Sequence, residues 1–315
     1  LGSSPLLSFL FLVGGFVLLC LGAEFLLRGS VRVARRFGLS DLVIGATLVA
    51  LGTSAPELFV SVAASFHGHP AMALGNVAGS NLCNVFLVLG AAALFSPIPV
   101  LRKRHLPMAG ILFGISLLVL ALALWGRALG RVDGVLLLLL LVFWTLFSLK
   151  APSASVGEEI PRVKTSMAVA ALLTLGGLFL LWLGSKWTVK GAVALAVWLG
   201  VQERVVAVSV VALGTSLPEL ATSLLASFRK SPDIALGNVV GSNIFNLLCI
   251  LGAAALAAPI PVPGNSVIDL GLVVGASLLV LLPVLFFRRI GRRWGVLLLV
   301  LYAGLMTWLF LSGRV

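Results

Sequence analysis

The sequence predicts an all-α, multi-pass membrane protein, with ten transmembrane helices arranged as two inverted five-helix repeats. Three observations carry that expectation. Of the 315 residues, 60% are hydrophobic and 10% charged. A soluble domain of this size cannot bury so much apolar side chain, so lipid has to be part of its solvent. Ten apolar runs can be read, most of them near the twenty residues or so that a span requires. And the halves repeat: a shift of 162 residues aligns Gly38–Val100 with Gly200–Val262 without a gap, and 35 of those 63 positions are identical.

The ten runs lie near 5–27, 42–66, 71–95, 106–126, 134–149, 165–185, 205–228, 234–258, 267–287 and 294–312. The first ends at a basic cluster, where Glu24 stands four residues before Arg28, a favourable helix pair that reads as structural. The second and the seventh each carry a proline and an acid in mid-run. The third and the eighth are striped with polar residues. The fifth is the shortest. After it comes the longest polar interruption, Lys150 to Lys164, too short to be a domain. It divides the chain into a first repeat (1–149), a central linker (150–164) and a second repeat (165–315). Five spans is an odd number, so the second half enters the membrane in the opposite sense, the plan of many secondary transporters.

The charges fit that plan. With both termini outside, the inner loops carry 16 of the 22 Lys and Arg, among them Arg28, Arg32, Arg35, Arg36, Arg102, Lys103, Arg104, Arg229, Lys230, Arg288, Arg289, Arg292 and Arg293. That is the asymmetry of the positive-inside rule, and it makes the central linker cytoplasmic. A net charge of +12 would suggest nucleic acid in a soluble protein; here it is spread over short membrane loops, and no basic domain exists to bind a polyanion. Cys20, Cys83 and Cys249 lie far apart within apolar runs and read as small packing residues. His67, His69 and His105 fall in predicted loops, without the neighbours of a histidine metal cluster.

One motif is written twice, as Gly52-Thr53-Ser54-Ala55-Pro56-Glu57 and as Gly214-Thr215-Ser216-Leu217-Pro218-Glu219. A carboxylate in the middle of a span is costly and marks a functional site by default. Pro56 and Pro218 cannot donate, so each frees the carbonyl four residues earlier, at Gly52 and Gly214. Such breaks are tolerated where they line a cavity or find neighbours. Each broken span is followed by a polar-striped one: Gly75-Asn76-Val77-Ala78-Gly79-Ser80-Asn81-Leu82-Cys83-Asn84 and Gly237-Asn238-Val239-Val240-Gly241-Ser242-Asn243-Ile244-Phe245-Asn246. Asn76, Ser80 and Asn84 share one helix face, as do Asn238, Ser242 and Asn246. Taken singly, these amides and hydroxyls could be interhelical glue. As a duplicated set beside two acids they read as a cation site. Carboxylate, hydroxyl, amide and carbonyl oxygens suit hard cations such as Ca²⁺ and Na⁺, and no thiolate or imidazole is placed to favour zinc or copper. Two carboxylates match the charge of one Ca²⁺; a shared proton is the rival reading.

Both motifs, on the full ten-span plan, resemble the two alpha repeats of the sodium/calcium exchanger branch of the cation/calcium antiporter superfamily, of prokaryotic type. The resemblance implies exchange of Ca²⁺ for Na⁺ by alternating access, at a site built by spans two, three, seven and eight, with no cofactor. It makes Glu57 and Glu219 the principal acidic ligands. Thr53, Ser54, Ser80 and Asn84 match ligand positions in the first repeat, and Thr215, Ser216, Ser242 and Asn246 those in the second. Main-chain carbonyls at Ala50, Thr53, Ala212 and Thr215 match its backbone ligands. It further implies that spans one and six slide across the core, a moving contact for the paired glycines Gly22/Gly184 and Gly29/Gly191. Many relatives carry Asp where this chain has Asn246, so ion stoichiometry and any K⁺ or H⁺ coupling stay open. A cation channel is the alternative of another class, though both halves of the site lie in one chain, which is expected to work as a monomer. An enzyme is not expected: neither Ser54 nor Ser80 has a His or Lys at its depth to activate it. The expected location is the inner membrane of a prokaryotic cell.

Overall fold

The computed structural model describes residues 5–149, 166–199 and 214–311. Ala212, the start of the seventh run and the whole of the 150–164 linker lie outside the described residues. Eleven helices can be followed among the rest. They are α1 (Pro5–Arg36), α2 (Asp41–Thr53), α3 (Ala55–Phe66), α4 (Pro70–Phe95), α5 (Arg102–Gly126), α6 (Arg131–Leu149), α7 (Met167–Trp198), α8 (Leu217–Phe228), α9 (Pro232–Ala257), α10 (Gly264–Phe286) and α11 (Arg292–Leu311). Seven of these are long and apolar enough to cross a membrane, and α2 with α3 makes an eighth, bent by 47° at the junction.

Lipid exposure shows in which residues each helix hides. On α3 the buried positions are Glu57, Ser61 and Ser65, one turn apart, whereas Phe59 and Phe66 are 74% and 73% exposed. A helix that buries its polar stripe and presents phenylalanine outward inverts the pattern of a water-soluble helix, and it is stable only with apolar solvent outside. The most enclosed helices are α4 and α9, with 78% and 83% of their most apolar stretches buried, against 22–39% in the other five single-helix span candidates. The centre of the molecule is therefore the α4–α9 pair.

Around that pair the two halves make equivalent contacts. Helix α6 crosses α9 where Gly134 meets Gly252, and α11 crosses α4 where Gly295 meets Gly90. A Cβ at Gly134 would lie 2.7 Å from the Gly252 carbonyl, and one at Gly295 2.6 Å from that of Gly90. Two short antiparallel strand pairs tie loops of opposite halves, β1 (Ile98–Pro99) to β4 (Arg289–Ile290) and β2 (Ala128–Leu129) to β3 (Ile260–Pro261). Helices α1 and α7 pack against each other as an antiparallel pair, from Gly191 beside Ser8 to Gly29 beside Thr174.

Helices α1 and α7 are longer than the apolar runs that announced them, 32 residues each, or about 48 Å at 1.5 Å per residue. The runs stop at the first charges, but a long charged side chain extends from a helix without ending it. Glu24 bonds Arg28 on its own helix and reaches Arg229 at 2.6 Å, and the Lys190 ammonium sits 4.2 Å from the Phe11 ring centre. The glycines of these helices also differ from expectation. They face each other rather than a sliding core: a Cβ at Gly22 would lie 2.7 Å from Leu181 N, one at Gly184 2.8 Å from Leu19 N, and one at Gly191 2.6 Å from the Ser8 carbonyl. A third correction concerns His105. It lies in the first turn of α5, not in a loop, and is 1% exposed. Its Nδ1 accepts from Leu101 N at 3.1 Å, satisfying an orphan donor at the helix start, and its Nε2 lies 3.2 Å from Asp233 at the start of α9.

Candidate cation site

The break between α2 and α3 falls at Ser54, whose backbone (φ −84°, ψ 5°) leaves the helix for one residue. Ser216 does the same before α8 (φ −88°, ψ 4°). Each proline then sits in the first turn of the new helix, where its missing N–H would have been an orphan donor anyway. One residue on come Glu57 and Glu219, also in a first turn, where the helix dipole favours negative charge. So the proline does two things: it breaks the span and delivers an acid to a helix N-terminus at the break. The expected release of the Gly214 carbonyl is seen as well. That carbonyl accepts a hydrogen bond from Ser185 of α7.

The two breaks meet across the repeat boundary. Ser54 Oγ donates to Glu219 Oε1 at 2.9 Å, and Thr53 Oγ1 stands 3.3 Å from Asn238 Oδ1 and from the Ala50 carbonyl. That carbonyl also receives Ser54 N at 3.0 Å, which occupies a lone pair of one expected main-chain ligand. Glu57 and Glu219 are 1% and 0% exposed. Both oxygens of Glu57, Oε2 of Glu219 and the hydroxyls of Thr215, Ser216 and Ser242 are buried with no hydrogen-bond partner among the described residues. An unpaired buried polar atom costs about 1–3 kcal/mol, and more when charged. A cluster of such oxygens fits hard cations, which take about six to eight oxygens for Ca²⁺.

The striped helices add the rest. Ser80, Asn84, Ser242 and Asn246 are all buried, and Oδ1 of Asn84 and of Asn246 lacks a partner among the described residues. Asn76 and Asn238, on the same stripe, instead bond the hydroxyls of Ser61 and Ser223, each at 2.9 Å, and fasten α4 to α3 and α9 to α8. Two asparagines outside that stripe are equally central. Asn81 and Asn243 bond each other's main chain and the side chains of Asn246 and Asn84. Residue type was their only signal, since each is one position off the four-residue spacing. At Asn84 and at Asn246 the helix also widens into a π turn (Asn84–Leu89 and Asn246–Ile250), a distortion common at functional positions and invisible in the residue pattern. Beside the first break lies an open pocket of roughly 300 Å³ lined by Gly52, Thr53, Pro56 and Pro218, with Leu178 and Trp182 of α7 on its wall.

Comparison with known proteins gives the family of the chain. The profile of the sodium/calcium exchanger protein family matches residues 7–150 and 169–311. The sodium/calcium exchanger MaX1 of Methanosarcina acetivorans is 30% identical over 96% of this chain and 98% of its own. The inner membrane protein YrbG of Escherichia coli is 35% identical over 96% of each. The structure of the sodium-calcium exchanger NCX_Mj soaked without Na⁺ and Ca²⁺ superposes with a TM-score of 0.85 at 33% identity, over 96% of this chain and 99% of that one. MaX1 and NCX_Mj are exchangers, transporters rather than enzymes. A family profile that covers both halves, and relatives that run nearly end to end with it, show that this chain belongs to the sodium/calcium exchanger family.

Proposed function

We propose that the protein exchanges Ca²⁺ for Na⁺ across a prokaryotic cell membrane by alternating access, with Glu57 and Glu219 as the paired acids of a single ion site. The observation that carries this reading is the meeting of two broken helices, one from each half, with unpaired carboxylate and hydroxyl oxygens between them. Their joint charge of minus two is balanced by one Ca²⁺ or by two Na⁺, so the two ions compete for one set of oxygens, as exchange requires. Thr53, Ser54, Ser80 and Asn84 complete the shell from the first repeat, with Thr215, Ser216, Ser242 and Asn246 from the second. Main-chain oxygens of Ala50 and Ala212 are further candidates. The chain traverses the membrane ten times as two inverted repeats, and a single copy holds the whole site. The glycine-bound α1–α7 pair supports a moving element: it packs as a unit beside the pocket at the first break.

Ca²⁺ uptake into proteoliposomes, with Na⁺, K⁺ and H⁺ gradients varied one at a time, tests this reading. An outward Na⁺ gradient should drive uptake, and removing the trans cation should abolish it. Uptake that persists without a trans cation would instead mark a channel. Uptake driven only by H⁺ or K⁺ would reassign the coupling ion.

A further inference from the structure

Asn81 and Asn243 lie side by side between α4 and α9, 0% and 2% exposed. The bonds they make fix which way each amide points. Asn243 Nδ2 donates to the Asn81 carbonyl at 3.2 Å, and Asn81 Nδ2 to the Asn243 carbonyl at 3.4 Å. A main-chain carbonyl can only accept, so these contacts demand the NH₂ end of each side chain. That leaves Oδ1 of each facing onward, and each accepts from an asparagine of the opposite repeat. Asn84 Nδ2 donates to Asn243 Oδ1 at 3.0 Å, and Asn246 Nδ2 to Asn81 Oδ1 at 3.0 Å. An acceptor there holds the amino end of Asn84 and of Asn246. In consequence their carbonyl oxygens, the two buried atoms left without partners, are turned away from the clamp.

We propose that Asn81 and Asn243 are positioning residues that hold the Asn84 and Asn246 side-chain carbonyls toward the ion site, crosswise, each orienting the ligand of the other repeat. This rests on the reading of the site given above. The amino ends of the ligand asparagines could not face a cation, because their hydrogens carry positive charge. The clamp thus selects the end of each amide that a cation binds, and it does so through two main-chain carbonyls that no side-chain rotation can change. It also links the halves: moving α4 relative to α9 shifts both ligands together. Within one helix, by contrast, Asn84 reaches Asn81 and Asn246 reaches Asn243 only through the main chain, N–H to carbonyl, and no side-chain hydrogen bond joins either pair among the described residues.

A set of double-mutant cycles on the full chain in proteoliposomes tests this, reading apparent Ca²⁺ and Na⁺ affinities. Asn81→Leu should weaken Ca²⁺ by several-fold in the native background and have little further effect when Asn246→Leu is already present. Asn243→Leu should behave the same way toward Asn84→Leu. The expected non-additivity is about threefold to a hundredfold. The same-helix pairs, 81 with 84 and 243 with 246, should combine additively. Thermal unfolding is measured for every variant, and Asn81→Ser and Asn243→Ser replace any leucine variant that does not fold. Additive effects for the crosswise pairs, or coupling as strong within a helix as across, would overturn the clamp. Glu57→Gln is run alongside. If it leaves Ca²⁺ affinity unchanged the site itself is misplaced, whereas a weakened Glu57→Gln with additive crosswise pairs removes only the clamp.

Discussion

In the proposed site two carboxylates set the charge offered to an ion, and among the described residues no Lys or Arg forms an ion pair with either. Glu57→Gln or Glu219→Gln keeps the size and removes one charge from a buried site. Loss of a buried charged group costs about 2–5 kcal/mol, so apparent Ca²⁺ affinity should fall by tens to thousands of fold in a flux assay. Asn246 makes a subtler prediction. As an amide it cannot titrate, so only Glu57 and Glu219 do so in the proposed site; a third Na⁺ would leave the loaded site at plus one. Asn246→Asp adds a titratable group and should make Na⁺-driven Ca²⁺ flux more pH-sensitive than in the native protein between about pH 5 and 8. Superimposable normalised profiles would mean that residue 246 does not face the ions. The acids were legible in the sequence because a charge in an apolar run has no cheap structural explanation. The clamp asparagines were not. A lone amide beside Ser80 or Ser242 becomes meaningful only when the crossing of α4 and α9 brings Asn81 against Asn243, and nothing in the local pattern encodes that crossing.

At the level of helices, proline and glycine decide the geometry. The breaks at Ser54 and Ser216 were readable from proline, since a missing donor in mid-span has few outcomes. The π turns beginning at Asn84 and Asn246 were not, because no residue type enforces an inserted position. The lengths of α1 and α7 were misread for a related reason: charge ended the hydropathy signal, not the helix. Their glycines carry a prediction. A side chain at Gly22 or Gly177 would strike the backbone of the facing helix, with contacts of 2.7 Å and 2.4 Å for the Cβ alone. Gly22→Leu or Gly177→Leu should therefore cost about 1–3 kcal/mol or more by overpacking and lower the unfolding temperature. Gly176→Ala meets nothing within 4 Å, so it should be neutral or slightly stabilising through helix propensity. Equal thermal stability of Gly177→Leu and Gly176→Ala would contradict the packing described for α1 and α7.

For the molecule as a whole, the repeat and the basic asymmetry together predict how the chain sits in its membrane. Ion pairs join ends that this orientation places on one side, Arg104 to Asp233 and Arg229 to Glu24, and β1 pairs with β4 on that same side. Ser155→Cys, with Cys20, Cys83 and Cys249 replaced, should accordingly resist a membrane-impermeant thiol reagent on intact cells and react once the cells are opened; labelling from outside would invert the topology. The central claim is that the two halves build one site shared by both ions. Equilibrium binding of radioactive Ca²⁺ to the purified protein tests it most directly, with Na⁺ as competitor. One Ca²⁺ per chain, displaced by Na⁺ and lost in the Glu57→Gln, Glu219→Gln double variant, is the predicted result. Ca²⁺ binding that Na⁺ leaves untouched, or that survives loss of both acids, would contradict it.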